Sequence, residues 1–135
     1  MSLSRQQIRD LRRLQQKKYR EEERAFLIEG VRLCEEALAA GAPVECAFFF
    51  PEGMENPRAR RLLQALSGRK IPLQPVDATT LAALTETRSP QGIAALVRAG
   101  EAGPFSPAGN REPLVLAVDD LADPGNLGTL LRTAV

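Results

Sequence analysis

The chain has 135 residues, 44% hydrophobic and 26% charged, with a formal net charge of +1. That balance suits a folded chain able to bury one core and part of another, and it excludes collagen-like, coiled-coil and disordered classes. There is no histidine, so Ser-His-Asp and Cys-His nucleophilic centres and imidazole-bound zinc are excluded.

The two cysteines, Cys34 and Cys46, lack CxxC spacing and read as reduced thiols rather than a disulfide framework. No run approaches the roughly 18 to 20 apolar residues of a membrane-spanning helix, and the amino terminus has no basic-then-apolar signal pattern. The expectation is a cytoplasmic protein with no membrane partner. The small net charge is a sum of unlike segments. Met1–Arg24 carries eight cationic residues against four acidic ones, Ala25–Arg98 is balanced, and the stretch from Glu101 onward is acidic. A basic arm points toward a polyanionic partner.

Ser4 to about Arg20 has no Gly or Pro, opens on a serine able to cap a helix, and reads as one helix. On it Arg5, Arg9, Arg12, Arg13 and Arg20 share about a third of the circumference, with Ile8, Leu11 and Leu14 on the other side. Two readings stand for that face: a solvated charged surface, or a surface turned to phosphates. Ala25–Ile28 is an apolar run. Val31–Ala40 is a helix burying Val31, Cys34 and Leu38 and stopped by Gly41. Val44–Phe50 is a strand ended by Pro51, and Pro57–Leu66 is a helix with Arg58, Arg60 and Arg61 outward. A short strand over Ile71–Val76, a helix capped by Asp77 or Thr79 and running to Leu84, and a strand over Gly92–Val97 complete the alternation. A leading helix followed by β-α-β-α-β-α-β predicts a three-layer α/β/α sandwich over residues 1–98.

Residues 99–113 are rich in Gly and Pro and read as a linker. Residues 114–135 read as the truncated start of a second α/β domain. They comprise a buried aliphatic strand over Leu114–Val118, a turn, and a helix from Pro124, which one strand and one helix cannot complete. In that turn Asp123 suits an N-cap, Pro124 the first helical position, and Gly125 a close approach to the backbone. Leu127, Leu131 and Ala134 form the face expected to pack inward. Gly125, Gly128 and Arg132 share another face. Helical side chains lean toward the amino terminus, so Arg132 is expected to reach back over the two glycines. A guanidinium above a helix amino terminus suits a phosphate or a developing oxyanion, with Asn126 contributing an amide; a plain structural turn is the alternative. Neither GxGxxG nor a P-loop lysine is present, which leaves a Rossmann nucleotide-binding half the weakest option.

The segment VLAVDDLADPGNLGTLLRTA resembles the first signature motif of the SpoU branch of SPOUT-class (SpoU/TrmH-type) RNA methyltransferases. FLIEGVRLCEEAL and SPQGIAAL resemble the most recognisable stretches of that family's amino-terminal substrate-binding domain. The resemblance implies a fold similar to RNA-binding ribosomal proteins, followed by the first strand and helix of an α/β-knot domain. It implies transfer of a methyl group from S-adenosylmethionine to a ribose 2′-hydroxyl of structured RNA, ribosomal RNA rather than transfer RNA, by a homodimeric complete enzyme. It places Arg132 and Asn126 as the catalytic pair. Whether Arg132 is the base or an electrostatic stabiliser stays open. RNA contact is expected from Arg5, Arg9, Arg12 and Arg13, from the Glu29-Gly30 turn, where a simple strand-to-helix bend is the alternative, and from Gly125 and Gly128. The family's later motifs are absent, so this chain is expected to bind no methyl donor and to be inactive alone. A non-catalytic RNA-binding module is the competing reading. With one tyrosine and five phenylalanines, the composition argues against a broad base-stacking platform.

Overall fold

The computed structural model describes residues 3–85, 91–101 and 115–134. The chain divides into two compact units, Met1–Glu101 and Ala102–Val135.

In the first unit the elements run α1 (Arg5–Arg13), α2 (Lys17–Glu23), β1 (Ala25–Glu29), α3 (Val31–Ala39), β2 (Val44–Phe49), a 3-10 turn at Pro51–Met54, α4 (Pro57–Gly68), β3 (Leu73–Pro75), α5 (Ala78–Thr85) and β4 (Ile93–Arg98). The four strands form one sheet in the order β1-β4-β2-β3. β4 runs antiparallel to both β1 and β2, and β2 is parallel to β3. β4 is thus bonded along both edges, and Ile93, Ala94 and Ala95 are all 0% exposed. Its alternate residues feed two separate cores. Ile93, Ala95 and Val97 pack with Cys34 and Leu38 of α3 and Ala59, Leu62 and Leu66 of α4. Ala94 and Leu96 pack on the other side with Leu14 and with Leu81 and Leu84 of α5. The expected three-layer α/β/α arrangement is present.

The helix expected over Ser4–Arg20 is two helices. Ser4 caps α1 in a reciprocal box with Gln7, but the chain breaks at Leu14–Gln16 for tertiary reasons. Leu14 turns into the core at 6% exposure, and the Gln15 amide donates to the carbonyls of Ala83 and Leu84 at the end of α5, both at 3.1 Å. Arg20 then reaches back and donates to the Leu14 and Gln15 carbonyls at 3.1 and 2.6 Å. These carbonyls follow the last turn of α1 and lack helical partners. Arg20 therefore leaves the basic face assigned to it and serves as a cap.

Asp77, not Thr79, begins α5: its carboxylate accepts from the Thr80 N–H at 2.7 Å and from the Thr80 hydroxyl. Those bonds hold the Asp77 carboxyl below its ordinary value. Between α3 and α4, Arg58 grips Glu35 through three hydrogen bonds. Both cysteines are free. Burial, with Glu35 adding to it, pushes the Cys34 thiol up to about 12, and burial pushes Cys46 to about 11. Both are protonated, unreactive thiols at neutral pH.

In the second unit α6 spans Pro124–Thr133. The strand expected over Leu114–Val118 is not formed at 115–118, and Leu114 lies outside the described residues. Val115, Leu116 and Val118 are 55%, 57% and 44% exposed. An extended segment becomes a strand only by pairing, and no described residue pairs with it. Of the expected linker, 99–113, only Ala99–Glu101 falls within the described residues.

Gly92 has a φ of +81°, and a Cβ placed there would lie 2.8 Å from the Gly53 carbonyl oxygen. Both constraints oppose a side chain at this entry to β4. Gly92→Ala is expected to lower unfolding free energy by about 1–3 kcal/mol or more in urea denaturation. Gly68→Ala, at the exposed end of α4 with nothing within 4 Å, is expected to be neutral or stabilising by up to about 1 kcal/mol. Equal effects would mean that Gly92 is not packed as described.

Candidate functional site

The basic surface begins with α1. Ile8 and Leu11 are half-buried against the α5 side of the core, and Leu14 beyond them is buried, so the opposite arc of the helix must face outward. Arg5, Arg9, Arg12 and Arg13 are all exposed on it. Arg9 donates to the Gln6 amide oxygen at 3.1 Å. Arg13 lies over the Tyr19 ring, 4.0 Å from its centroid, and the Lys18 ammonium is 5.6 Å from the same ring. The Arg13–Tyr19 pair was not foreseen from sequence, because it depends on the break between α1 and α2 that folds the two residues together. On α2 the lysines are compensated: Lys17 pairs with Glu21 at 3.6 Å and Lys18 with Glu22 at 3.8 Å, all on the surface. Such pairs contribute little to stability, but they reduce the local field. Within the α1–α2 region the cationic excess therefore sits on α1; Arg60 and Arg61 of α4 are exposed as well.

The Glu29-Gly30 turn lies at the far end of β1. Gly30 is buried, has a φ of +95°, and starts α3: its carbonyl accepts the Cys34 N–H at 3.1 Å, while its own N–H donates to the Ile93 carbonyl at 2.9 Å. The Glu29 carboxylate accepts the Gln91 N–H at 3.0 Å. A Cβ at Gly30 would lie 2.3 Å from the Gln91 side-chain oxygen. Gly30 is thus a strand-to-helix bend held against the residues preceding β4. Gly53 and Gly92 meet beside it, backbone to backbone. Gln91, Gly53 and Gly92 escaped notice as members of this corner; the signal was the close sequence of Gln91 and Gly92 before an apolar strand. Ser89 and Pro90 of SPQGIAAL lie outside the described residues.

The second candidate cluster is on α6. Asp123 caps the helix, accepting from the Gly125 N–H at 3.4 Å and the Asn126 N–H at 2.9 Å. The amide groups expected to receive an external anion are thereby satisfied by the chain's own carboxylate. A Cβ at Gly125 would lie 3.3 Å from Asp123. Arg132 does lean toward the amino terminus: its Nε donates to the Gly128 carbonyl at 3.2 Å, and Nη2 lies 3.0 Å from where a Gly128 Cβ would be. The guanidinium covers Gly128, and the surface of Gly125 belongs to Asp123. Asn126 is exposed at the first turn. The face expected to pack inward is open, with Leu127 and Leu131 39% and 60% exposed, because no described residue lies over it. None of the described residues 115–134 is buried. They enclose no cleft for an adenosyl group, and these residues do not by themselves fit S-adenosylmethionine.

Among the described residues no group of His, Cys, Asp and Glu side chains is arranged to hold a metal ion, and no helix is long and apolar enough to cross a membrane.

Residues 5–95 match the model of the MRM3-like substrate binding domain family. The chain is 36% identical to the 23S rRNA (guanosine(2553)-2′-O)-methyltransferase RlmP of Bacillus subtilis, over 98% of this chain and 48% of that protein. A solved RNA 2′-O ribose methyltransferase superposes with a TM-score of 0.78 at 34% identity, covering 99% of this chain and 51% of its own. An AdoMet-bound rRNA methyltransferase from Sinorhizobium meliloti shares the fold, with a TM-score of 0.60 at 22% identity over 76% of this chain and 38% of its own. The chain spans about half the length of the first two. On these matches, most of all the family model that covers the α/β unit from α1 into β4, the chain belongs to the MRM3-like substrate-binding-domain family of SpoU/TrmH-type RNA methyltransferases.

Proposed function

We propose that residues 1–98 are the RNA-recognition domain of a ribose 2′-O-methyltransferase, that 99–113 link it to the catalytic domain, and that 114–135 are the opening of that domain. The observation that carries this reading is the segregation of Arg5, Arg9, Arg12 and Arg13 on the exposed arc of a helix whose other arc is anchored in the core. Cations displayed along about two turns of helix attract RNA phosphates and make binding salt-dependent. The substrate is structured RNA, ribosomal rather than transfer RNA, in keeping with the activity named for the Bacillus relative. The complete enzyme is a cytoplasmic homodimer that takes its methyl group from S-adenosylmethionine, bound outside the described residues. The competing reading, an RNA-binding module without catalysis, draws on the exposure of α6 and is separated from ours by Arg132.

Arg132 is assigned to the substrate. Its guanidinium is held at one nitrogen by the Gly128 carbonyl, leaving further N–H donors for a ribose phosphate. A guanidinium is a donor-only group and serves poorly as a proton acceptor. Arg132 therefore orients phosphate and stabilises the developing 2′-alkoxide, while phosphate or solvent takes the proton. Asn126, exposed in the first turn of α6, is assigned with Arg132 to hold the site together. Gly128 lets the Arg132 guanidinium lie close along the helix, Gly125 lets the Asp123 cap close, and RNA approaches over these groups; the Glu29-Gly30 turn offers RNA a second contact.

Replacing Arg5, Arg9 and Arg12 together by glutamine is expected to weaken binding to a ribosomal stem-loop RNA at least tenfold near 0.1 M salt. It should also flatten the salt slope by roughly one unit for each phosphate that is no longer neutralised. The same change at Arg60 and Arg61 on α4 should leave both within twofold, and the opposite ranking would refute the assignment. In the complete enzyme, Arg132→Lys is expected to reduce kcat by roughly 10²–10³-fold with an unshifted pH profile. Retention of most activity would rule out a geometry-dependent guanidinium.

A further inference from the structure

Between the α1–α2 corner and the sheet lies a cleft of about 400 Å³, within the roughly 300–1,000 Å³ typical of small-ligand sites. Its floor is apolar, formed by Leu14, Phe48, Leu96 and the half-buried Cys46. Its rim is polar. Arg13 and Tyr19 both line it, and they are already stacked, with the guanidinium 4.0 Å from the ring centroid. Asp10 and Glu23 bring two carboxylates to the same rim. Gln7 adds an amide. Its Oε1 accepts the Ser4 N–H in the cap of α1, and the amide nitrogen is the donor on the other side of that group.

An apolar floor, a guanidinium plane and hydrogen-bonding groups at the edge are what one nucleobase requires: a surface to stack on and partners for its polar edge. The Arg13 guanidinium over the Tyr19 ring makes a preformed cation–π pair at the rim against which a base can stack. Arg13 is also the last of the four arginines on the exposed arc of α1. A phosphate backbone following Arg5, Arg9 and Arg12 arrives at this rim. Carboxylate oxygens accept hydrogen bonds, one Asp10 oxygen already taking the Gln6 amide at 2.8 Å, and guanine offers adjacent N–H donors on its pairing edge. Composition argues against a broad stacking platform; the cleft provides a single position.

We propose that this cleft receives one unstacked nucleobase, guanine by preference, from the RNA bound along α1, with the base stacked at the Arg13–Tyr19 pair. The inference rests on the RNA-recognition reading above. It adds recognition of a base where that reading requires only charge.

The test uses the full 135-residue chain. Tyr19 is its one tyrosine, and it has no tryptophan, so the Tyr19 ring protons are readily isolated in NMR spectra. Guanosine 5′-monophosphate added to millimolar concentration is expected to shift them upfield and saturably, and ribose 5-phosphate at the same concentration to leave them in place. Cys46→Phe, which fills the floor, should abolish the shift and weaken stem-loop binding, while the melting temperature and the salt slope of binding are retained. Should that variant fail to fold, Arg13→Gln at the exposed rim must abolish the shift instead. Equal shifts with ribose 5-phosphate would mean phosphate binding alone and overturn the proposal. So would the absence of a response to the nucleotide, or nucleotide-independent shifts that track protein concentration, the sign of a second copy in the cleft. No nucleotide response with salt-dependent stem-loop binding intact overturns the base site only. Loss of both overturns the RNA reading as well.

Discussion

The first unit depends on the burial of β4 from every side. Strands bond to both of its edges, helices cover both of its faces, and its alternate residues supply two cores. Such a strand tolerates only apolar residues, and the helix layers close on it because Ala94 and Ala95 are small. Its position sets the rest of the unit. At one end Gly92 meets Gly53 and the chain turns past Gly30. At the other Arg98 is tied to Glu45 and donates to the Glu23 carbonyl at the end of α2. Leu96 and Ala94 provide the surface on which Leu14 and α5 settle, and that seat decides which arc of α1 is left to water.

Charge follows from packing. Eight cations in the first 24 residues would say little if they were spread around a helix or paired. The lysines of α2 are paired with glutamates one turn on, Arg20 is consumed as a cap, and the arginines of α1 remain displayed. α1 thus presents a cationic ridge, and the Arg13–Tyr19 corner ends that ridge beside an apolar cleft. The second unit presents the opposite situation. Its helix is well capped by Asp123, its arginine lies over Gly128, and its apolar face is open. Local rules are satisfied there without a core among the described residues.

Most elements of the first unit were legible because each has a local cause. Gly41 stops α3, Pro51 ends the run of β2, Pro57 and Asn56 begin α4, and Asp77 begins α5. The apolar run of β4 announced a strand covered on both faces. Its place between β1 and β2 was not legible, since strand order is set by crossovers that no local pattern records. The break in the leading helix was missed for the same kind of reason: its residues are good helix formers, and the contacts of Leu14, Gln15 and Arg20 that bend the chain lie with α5 or follow from the bend itself. On α6 the lean of Arg132 over Gly128 could be read from helical geometry. The capture of the first amides by Asp123 is the other side of the same N-cap rule, and it removes the external anion site that a bare helix end would offer. The unformed strand at 115–118 shows that aliphatic character makes a strand only where another strand accepts it.

The central claim is that RNA lies along α1 and not along the α3–α4 layer on the opposite face of the sheet. Hydrogen-deuterium exchange on the 135-residue chain, with and without a ribosomal stem-loop RNA, addresses it most directly. Slower exchange is expected in α1, at its junction with α2 and around Glu29–Gly30, with α3 and α4 unchanged. Protection confined to α3 and α4, or none at all under conditions where the RNA is bound, would contradict it.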